Sequence, residues 1–138
     1  MSIAHYESYT EARAHFKDLL DAAERGRVAT VRRDGRHTAV VEVERLRSVL
    51  AALRPSRAKV VAEADGWSVF IPGLPVAADG ETFAEAASEM ITALREYADD
   101  WQERLLDAPN HVQNWGLVQL ICLSDDVQLR EWLVGADQ

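Results

Sequence analysis

Apolar residues recur along this chain with two periods, and the period changes at identifiable punctuation. Ile3–Tyr6 alternates apolar and polar positions and predicts a short strand. Ser8-Tyr9-Thr10-Glu11 has the form of a capping box, with Ser8 as N-cap and Glu11 at the third helical position. Behind it Ala12, Phe16, Leu19, Leu20 and Ala23 fall at helical spacing, and Gly26 stands where a helix stop belongs. Arg27–Arg33 and Arg36–Glu44 are rich in β-formers, with Asp34-Gly35 between them as a two-residue hairpin signal. Leu46, Val49, Leu50 and Leu53 mark a short second helix. Residues 1–54 thus predict a β-α-β-β-α module.

Arg54-Pro55-Ser56-Arg57 interrupts the pattern, since proline disfavours helix in the residue before it; we place a module boundary here. Residues 58–138 then start again with a hairpin, Ala58–Ala64 and Trp67–Ile71 around Asp65-Gly66. The stiff loop Pro72-Gly73-Leu74-Pro75 leads to a strand near Val76–Ala78, which Asp79-Gly80 closes. Thr82-Phe83-Ala84-Glu85 is a second capping box. Ala86, Ala87, Met90, Ile91, Leu94, Tyr97, Ala98, Trp101 and Leu105 form one apolar stripe on a long helix, which Pro109-Asn110 ends. Trp115–Leu123 is apolar enough for a buried strand, and Ser124 is placed to cap a last helix bearing Leu129, Trp132 and Leu133. The predicted order is β-β-β-α-β-α, and the whole chain is of the α+β class.

Charge sharpens the division. Residues 1–60 carry 12 basic and 8 acidic side chains, a net of +4, and residues 61–138 carry 3 and 15, a net of -12. Such asymmetry suits a nucleic-acid-facing part joined to an acidic part with another partner, and it also suits two solvated surfaces. The overall charge of -8 argues against a protein that coats nucleic acid with its whole surface. One cysteine, Cys122, permits no disulfide framework, and the N-terminus has no apolar leader, so a cytoplasmic location is expected. No apolar run approaches membrane-spanning length.

Catalytic chemistry is sparse. His5, His15, His37 and His111 are scattered, and Cys122 falls within the apolar Trp115–Leu123 run as a core residue. No metal-ligating or nucleophile motif is present, so neither an enzyme nor a cofactor is expected. Glu63 and Asp65 resemble a carboxylate pair, which keeps a metal-dependent ribonuclease H-like nuclease as an alternative, though on a hairpin they also suit the turn. Trp67, Trp101, Trp115 and Trp132 read mostly as core or interface residues.

The order Tyr9-Thr10-Glu11-Ala12-Arg13, Phe16-Lys17-Asp18-Leu19-Leu20, Val28–Gly35 and Ala39–Val43 resembles the Phd/YefM antitoxins over roughly residues 1–53. That resemblance implies a homodimer whose paired sheets place a basic surface on operator DNA. It carries over to Arg13 and Arg32 as DNA-binding residues, with Arg33 and Arg36 flanking the same turn. Arginine suits this role as a bidentate donor to phosphate or guanine. The same side chains also suit a merely soluble hairpin tip.

From Glu63 to Pro75 and from Asp79 to Ala86 the chain resembles the HicB antitoxin domain, a reduced ribonuclease H-like sheet, over roughly residues 58–106. That resemblance implies a domain that binds and blocks a small ribonuclease toxin. It departs from the family in that the DNA-binding module precedes this domain, which leaves the toxin's class open between HicA-like, RelE-like and others. Glu85, Glu89, Glu96, Asp99, Asp100, Glu103 and Asp107 fall on the polar side of the long helix, and Asp125 and Asp126 add to the balance. An acidic face of this kind suits the basic groove of a ribonuclease toxin, and it equally suits a solvated helix. The expected toxin-binding residues are Phe70, Leu74, Glu96, Asp99, Asp100 and Glu103. Together these readings imply a type II antitoxin and transcriptional autorepressor. The alternatives are a stand-alone DNA-binding regulator with a ligand-sensing or oligomerising C-terminal domain, and an interaction module with no DNA role.

Overall fold

A computed structural model of the chain describes residues 3–135, so the expected module ends at residues 1–2 and 136–138 lie outside the described residues. Contacts gather the chain into two compact units, Met1–Leu46 and Arg47–Gln138. The structure is mixed α+β, with one three-stranded sheet in each unit.

The first unit runs β1 (Ile3–Tyr6), α1 (Tyr9–Ala14), α2 (Phe16–Glu24), β2 (Val28–Arg33) and β3 (Arg36–Ala39). Ser8 caps α1 as expected, its hydroxyl accepting from the Glu11 amide at 3.1 Å. The reciprocal half of the box is displaced, because the Glu11 carboxylate accepts from the Glu7 amide at 3.3 Å instead. The single helix expected over residues 9–24 is broken at His15, whose φ of -121° and ψ of 31° serve as C-cap to α1 and N-cap to α2. β1 and β2 pair in parallel across this crossover, and β2 and β3 pair antiparallel. Asp34 and Gly35 both take positive φ, 50° and 77°, the conformation a two-residue type I′ hairpin demands. β3 stops at Ala39 rather than continuing to Glu44. The cause is Glu42, whose carboxylate accepts from the Arg45 amide at 2.9 Å and whose carbonyl accepts from Leu46, so it starts α3 (Val43–Leu53). Leu19 and Ala23 of α2 bury against Ala29, with Tyr6, Val31 and Val40 around them. By strand alternation Ile3, His5, Val28, Thr30 and Arg32 take the other face, where Ile3 and Val28 stay more than half exposed.

α3 runs across the division between the units. Residues 54–57, read from sequence as a boundary, group with the second unit. Hydrogen bonds explain why a proline-interrupted segment does so. The Trp132 indole donates to the Arg54 carbonyl at 2.7 Å, and the Arg54 guanidinium donates to Asn114 Oδ1 at 3.1 Å. The buried Ser56 hydroxyl donates to the Leu133 carbonyl at 2.9 Å.

In the second unit β4 (Lys59–Glu63), β5 (Gly66–Phe70) and β6 (Ala77–Gly80) form an antiparallel sheet with β5 central. α4 (Phe83–Asp100) lies on one face of it, capped by Thr82, whose hydroxyl accepts from the Glu85 amide at 3.1 Å. Gly80 has a steric reason to be glycine, since a Cβ there would sit 2.4 Å from the Ala86 amide nitrogen. The predicted stripe from Ala86 to Trp101 is buried along its length, together with Val69, Ile71 and Val76 from the sheet side. α4 passes into a π-helical turn, Trp101–Leu105, and a 3₁₀ turn, Val112–Asn114, follows.

The tail corrects the sequence reading. Trp115–Leu123, expected as a strand, is α5, and the last helix is α6 (Asp126–Val134). A short run that is apolar on every side has no period to separate strand from helix. Leu117, Val118, Leu120 and Ile121 are buried over a little under half of the helix circumference, and the remainder carries Trp115, Cys122 and Leu123 with Gln119 as its one strongly polar side chain, so no polar stripe betrays the helix. The second module is therefore β-β-β-α-α-α, not the reduced ribonuclease H-like β-β-β-α-β-α order. The cap of α6 is Asp125, not Ser124, in a complete capping box with Gln128. Ser124 instead donates to the Leu120 carbonyl within α5. Cys122, expected in the core, is exposed on α5.

Candidate functional site

Each unit presents one charged surface. In the first, all four expected DNA-binding arginines are exposed at one end of the hairpin and on α1. Arg33 and Arg36 face each other across β2 and β3, on the side that faces the helices. The Arg33 guanidinium lies over the Tyr9 ring, 5.5 Å from its centroid, and near Asp34 at 3.8 Å. Tyr9 and Arg13 are four residues apart on α1 and so share its face. The Tyr9 ring beneath Arg33 thus lies on the α1 face that also carries Arg13.

Arg32 points to the opposite face of the sheet, opposite His37 in register. There it pairs with Glu7 at 3.4 Å. Glu7 also accepts from His5 at 2.8 Å, and His5 meets Thr30 Oγ1 at 2.6 Å and the edge of His37. The bond from His5 holds the Glu7 carboxyl below its ordinary range, with the positive charge of Arg32 adding to it. The structure thus places Arg33 and Arg36 together on the helix side of the sheet, with Arg13 on the Tyr9 face of α1, and Arg32 on the opposite side beside Glu7. Tyr9, His37 and Glu7 were not read from sequence. The Asp34-Gly35 register alone would have placed His37 opposite Arg32.

The structural division also moves the charge. Residues 1–46 carry eight basic and eight acidic side chains, so the first unit is neutral overall. The excess counted over residues 1–60 comes from Arg47, Arg54, Arg57 and Lys59, which belong to the second unit.

On the second unit Glu85, Glu89, Glu96, Asp99 and Asp100 occupy about a third of the circumference of α4. Glu103 carries the stripe into the π-helical turn. Among the described residues only Asp100 of this stripe has a cationic partner, Arg104. Glu85 and Glu89, Glu96 and Asp100, and Asp99 and Glu103 are like charges four apart, each pair opposing the helix by a few tenths of a kcal/mol. Arg95 is committed elsewhere, donating to the Ser124 carbonyl at 3.0 Å and to Asp126 at 2.7 Å. Asp99 also bears on Cys122, whose thiol is pushed up chiefly by partial burial and further by that carboxylate.

The remaining expected contacts are dispersed. Phe70 stands on the sheet face away from α4, in the row of Lys59 and Ala77, because its neighbour Val69 points into the core. It therefore does not join the acidic stripe. Leu74 packs against the core beneath the proline loop. The carboxylate near Glu63 is Asp79 rather than Asp65. The Ser68 hydroxyl lies between them, 2.9 Å from Glu63 and 2.6 Å from Asp79, and has one proton to share. Among the described residues no three His, Cys, Asp or Glu side chains are placed to hold a metal. No described helix is long and apolar enough to cross a membrane. Trp101 is buried, Trp67 and Trp132 are half-buried, and Trp115 is exposed.

No curated protein matches the chain. Its fold is shared with a crystal structure from Syntrophomonas wolfei subsp. wolfei, described as the antitoxin part of a toxin/antitoxin system. The two superpose with a TM-score of 0.77 at 21% identity, over 92% of this chain and 94% of the other. One family model, PHD-like, described as antitoxin of toxin–antitoxin, RelE/RelB, TA system, matches residues 3–133 and so spans both units. The chain belongs to this PHD-like family of antitoxins of toxin–antitoxin systems.

Proposed function

We propose that this antitoxin neutralises its cognate toxin by direct contact through the second unit, and represses its own operon by presenting the first unit, as a homodimer, to operator DNA. In finer terms the first unit acts as a Phd/YefM-like module and the second as a HicB-like one. The β-β-β-α beginning of the second unit supports the latter comparison and its helical tail does not.

The observation that carries the toxin half is the stripe on α4. A helix that keeps three like-charge pairs at i,i+4, with Arg104 beside Asp100 as the counter-ion of one of them, gives up stability, and a basic partner recovers it on binding. A toxin that grips RNA must present such a basic groove. The family description names RelE/RelB, which keeps a RelE-like toxin among the candidates. Glu96, Asp99, Asp100 and Glu103 form the contact in this reading, and Phe70 lies outside it.

The thin core of the first unit supports dimerisation. Among the described residues only Ala12, Leu19, Ala23 and Ala29 are buried there, and Ile3 and Val28 are exposed together on the sheet face away from α2. A domain of this size with so little buried surface is marginal alone and gains stability from a second copy. Of the four expected arginines, Arg13, Arg33 and Arg36 are better placed for phosphate than Arg32, which already meets Glu7.

The test is capture of partners by the tagged full chain from nuclease-treated lysate of its own source. The expected result is a small basic protein in near-equal amount that arrests growth when expressed alone and is rendered harmless by this chain. Recovery of the folded chain alone, in good yield, contradicts the proposal.

A further inference from the structure

The second unit has few cations, and three of its seven basic residues line one cleft. Arg54, Arg57 and Lys59 border a cavity of about 820 Å³ together with Pro72, Leu74 and Trp132. No carboxylate lines it, although the unit as a whole carries 15 acidic residues. Such an exclusion inside an acidic unit concentrates positive potential in one concave place.

The cations are available. Among the described residues none of the three forms an ion pair, and Arg57 and Lys59 are exposed. Arg57 holds a positive φ of 53°, uncommon for a side chain of its kind. Backbone held in a sparsely populated region points to a constraint at that position. The walls are also fixed. Trp132 is tethered through its indole to the Arg54 carbonyl at 2.7 Å, and Arg54 to Asn114 at 3.1 Å. Asn114 in turn donates to Tyr97, whose hydroxyl meets His111, so a buried polar chain fixes the floor. Pro72 and Leu74 add rigid apolar surface. Volumes of this order suit small organic ligands, and preorganised walls lower the cost of binding them.

We infer that this cleft is a binding site for a small organic anion: an apolar or aromatic body against Trp132, Pro72 and Leu74, and a carboxylate or phosphate held by Arg57 and Lys59. The inference is independent of the toxin contact, because the cleft and the α4 stripe share no residue.

The test is a titration of the full-length protein followed by amide and indole NMR. The probes are indole-3-acetate and adenosine 5′-monophosphate, with indole and adenosine as neutral counterparts. The expected result is saturable binding of one anion with a dissociation constant below about 1 mM, shifts at the Trp132 indole N–H, and at least about tenfold weaker binding of its neutral counterpart. Which anion binds tells carboxylate from phosphate. The Arg57→Gln/Lys59→Gln protein keeps its melting temperature and binds about tenfold more weakly, as loss of charge-assisted contacts requires. Absence of saturation by both anions up to about 5 mM overturns the inference. So does binding that the double substitution leaves unchanged.

Discussion

The two units of this antitoxin solve the same problem with unequal means. Among the described residues the second buries 17 apolar side chains, from Val69 to Leu133, around one long helix. The first buries four, of which only Leu19 is larger than alanine. The second can hold its shape alone and spend its surface on charge repulsion. The first is close to the limit at which a chain supports itself. The difference teaches where a partner would add most to folding and where it would serve function alone.

Core truncation gives the largest expected effects and should separate the units. Leu94 is fully buried on α4, so Leu94→Ala should cost about 4 kcal/mol and lower the main thermal transition at every protein concentration. Leu19→Ala should cost about 2 kcal/mol, because only small buried side chains, Ala23 and Ala29, share its cluster. If the first unit dimerises, its melting temperature should also rise with protein concentration in calorimetry, and a single concentration-independent transition would erase the contrast drawn here. Next in size is Gly80→Ala, expected to cost about 2 kcal/mol as a methyl group is forced against the Ala86 backbone. Denaturant titration measures it, and a neutral result would contradict the close approach of β6 to α4.

The arginines of the first unit sharpen the comparison within one surface. Arg33→Ala should weaken operator binding about fivefold or more and reduce the salt slope by about one. Arg32→Ala should do less, since Glu7 already compensates its charge. Fluorescence anisotropy at several salt concentrations reads both, and the reverse order would contradict the grouping of Arg13, Arg33 and Arg36. The smallest effect is chemical. The raised thiol of Cys122 should alkylate with iodoacetamide near pH 8 more slowly than a free cysteine, despite its exposure.

Much of this was legible in the residues. Ser8 and Thr82 announce their helices because a hydroxyl before a free amide has one obvious use. Asp34-Gly35 fixes its hairpin because few residues accept two positive φ angles. The α4 stripe is plain because one face is apolar and the other charged. What was illegible depended on distant contacts. Trp115–Leu123 is apolar all round, so its own pattern does not separate α5 from a strand. The break at His15 has no proline or glycine to mark it. Residues 54–57 look like a linker in sequence, and become part of the second unit through partners 60 to 78 residues away. The division after residue 46 puts Arg47, Arg54, Arg57 and Lys59 in the second unit and leaves the first neutral. The arginine site there rests on local grouping, since net charge gives it no support.

The central claim is that toxin is held by the acidic stripe of the second unit, apart from the arginines of the first. The most direct measurement compares toxin retention by three full-length proteins in parallel captures from nuclease-treated lysate. These are the wild type, Glu96→Lys/Asp99→Lys/Glu103→Lys, and Arg13→Ala/Arg33→Ala/Arg36→Ala, each checked for an unchanged melting temperature. The account predicts that the wild type and the arginine variant retain the toxin and that the stripe-reversed protein loses it. A toxin held equally well by the stripe-reversed protein, or lost from the arginine variant, would contradict it.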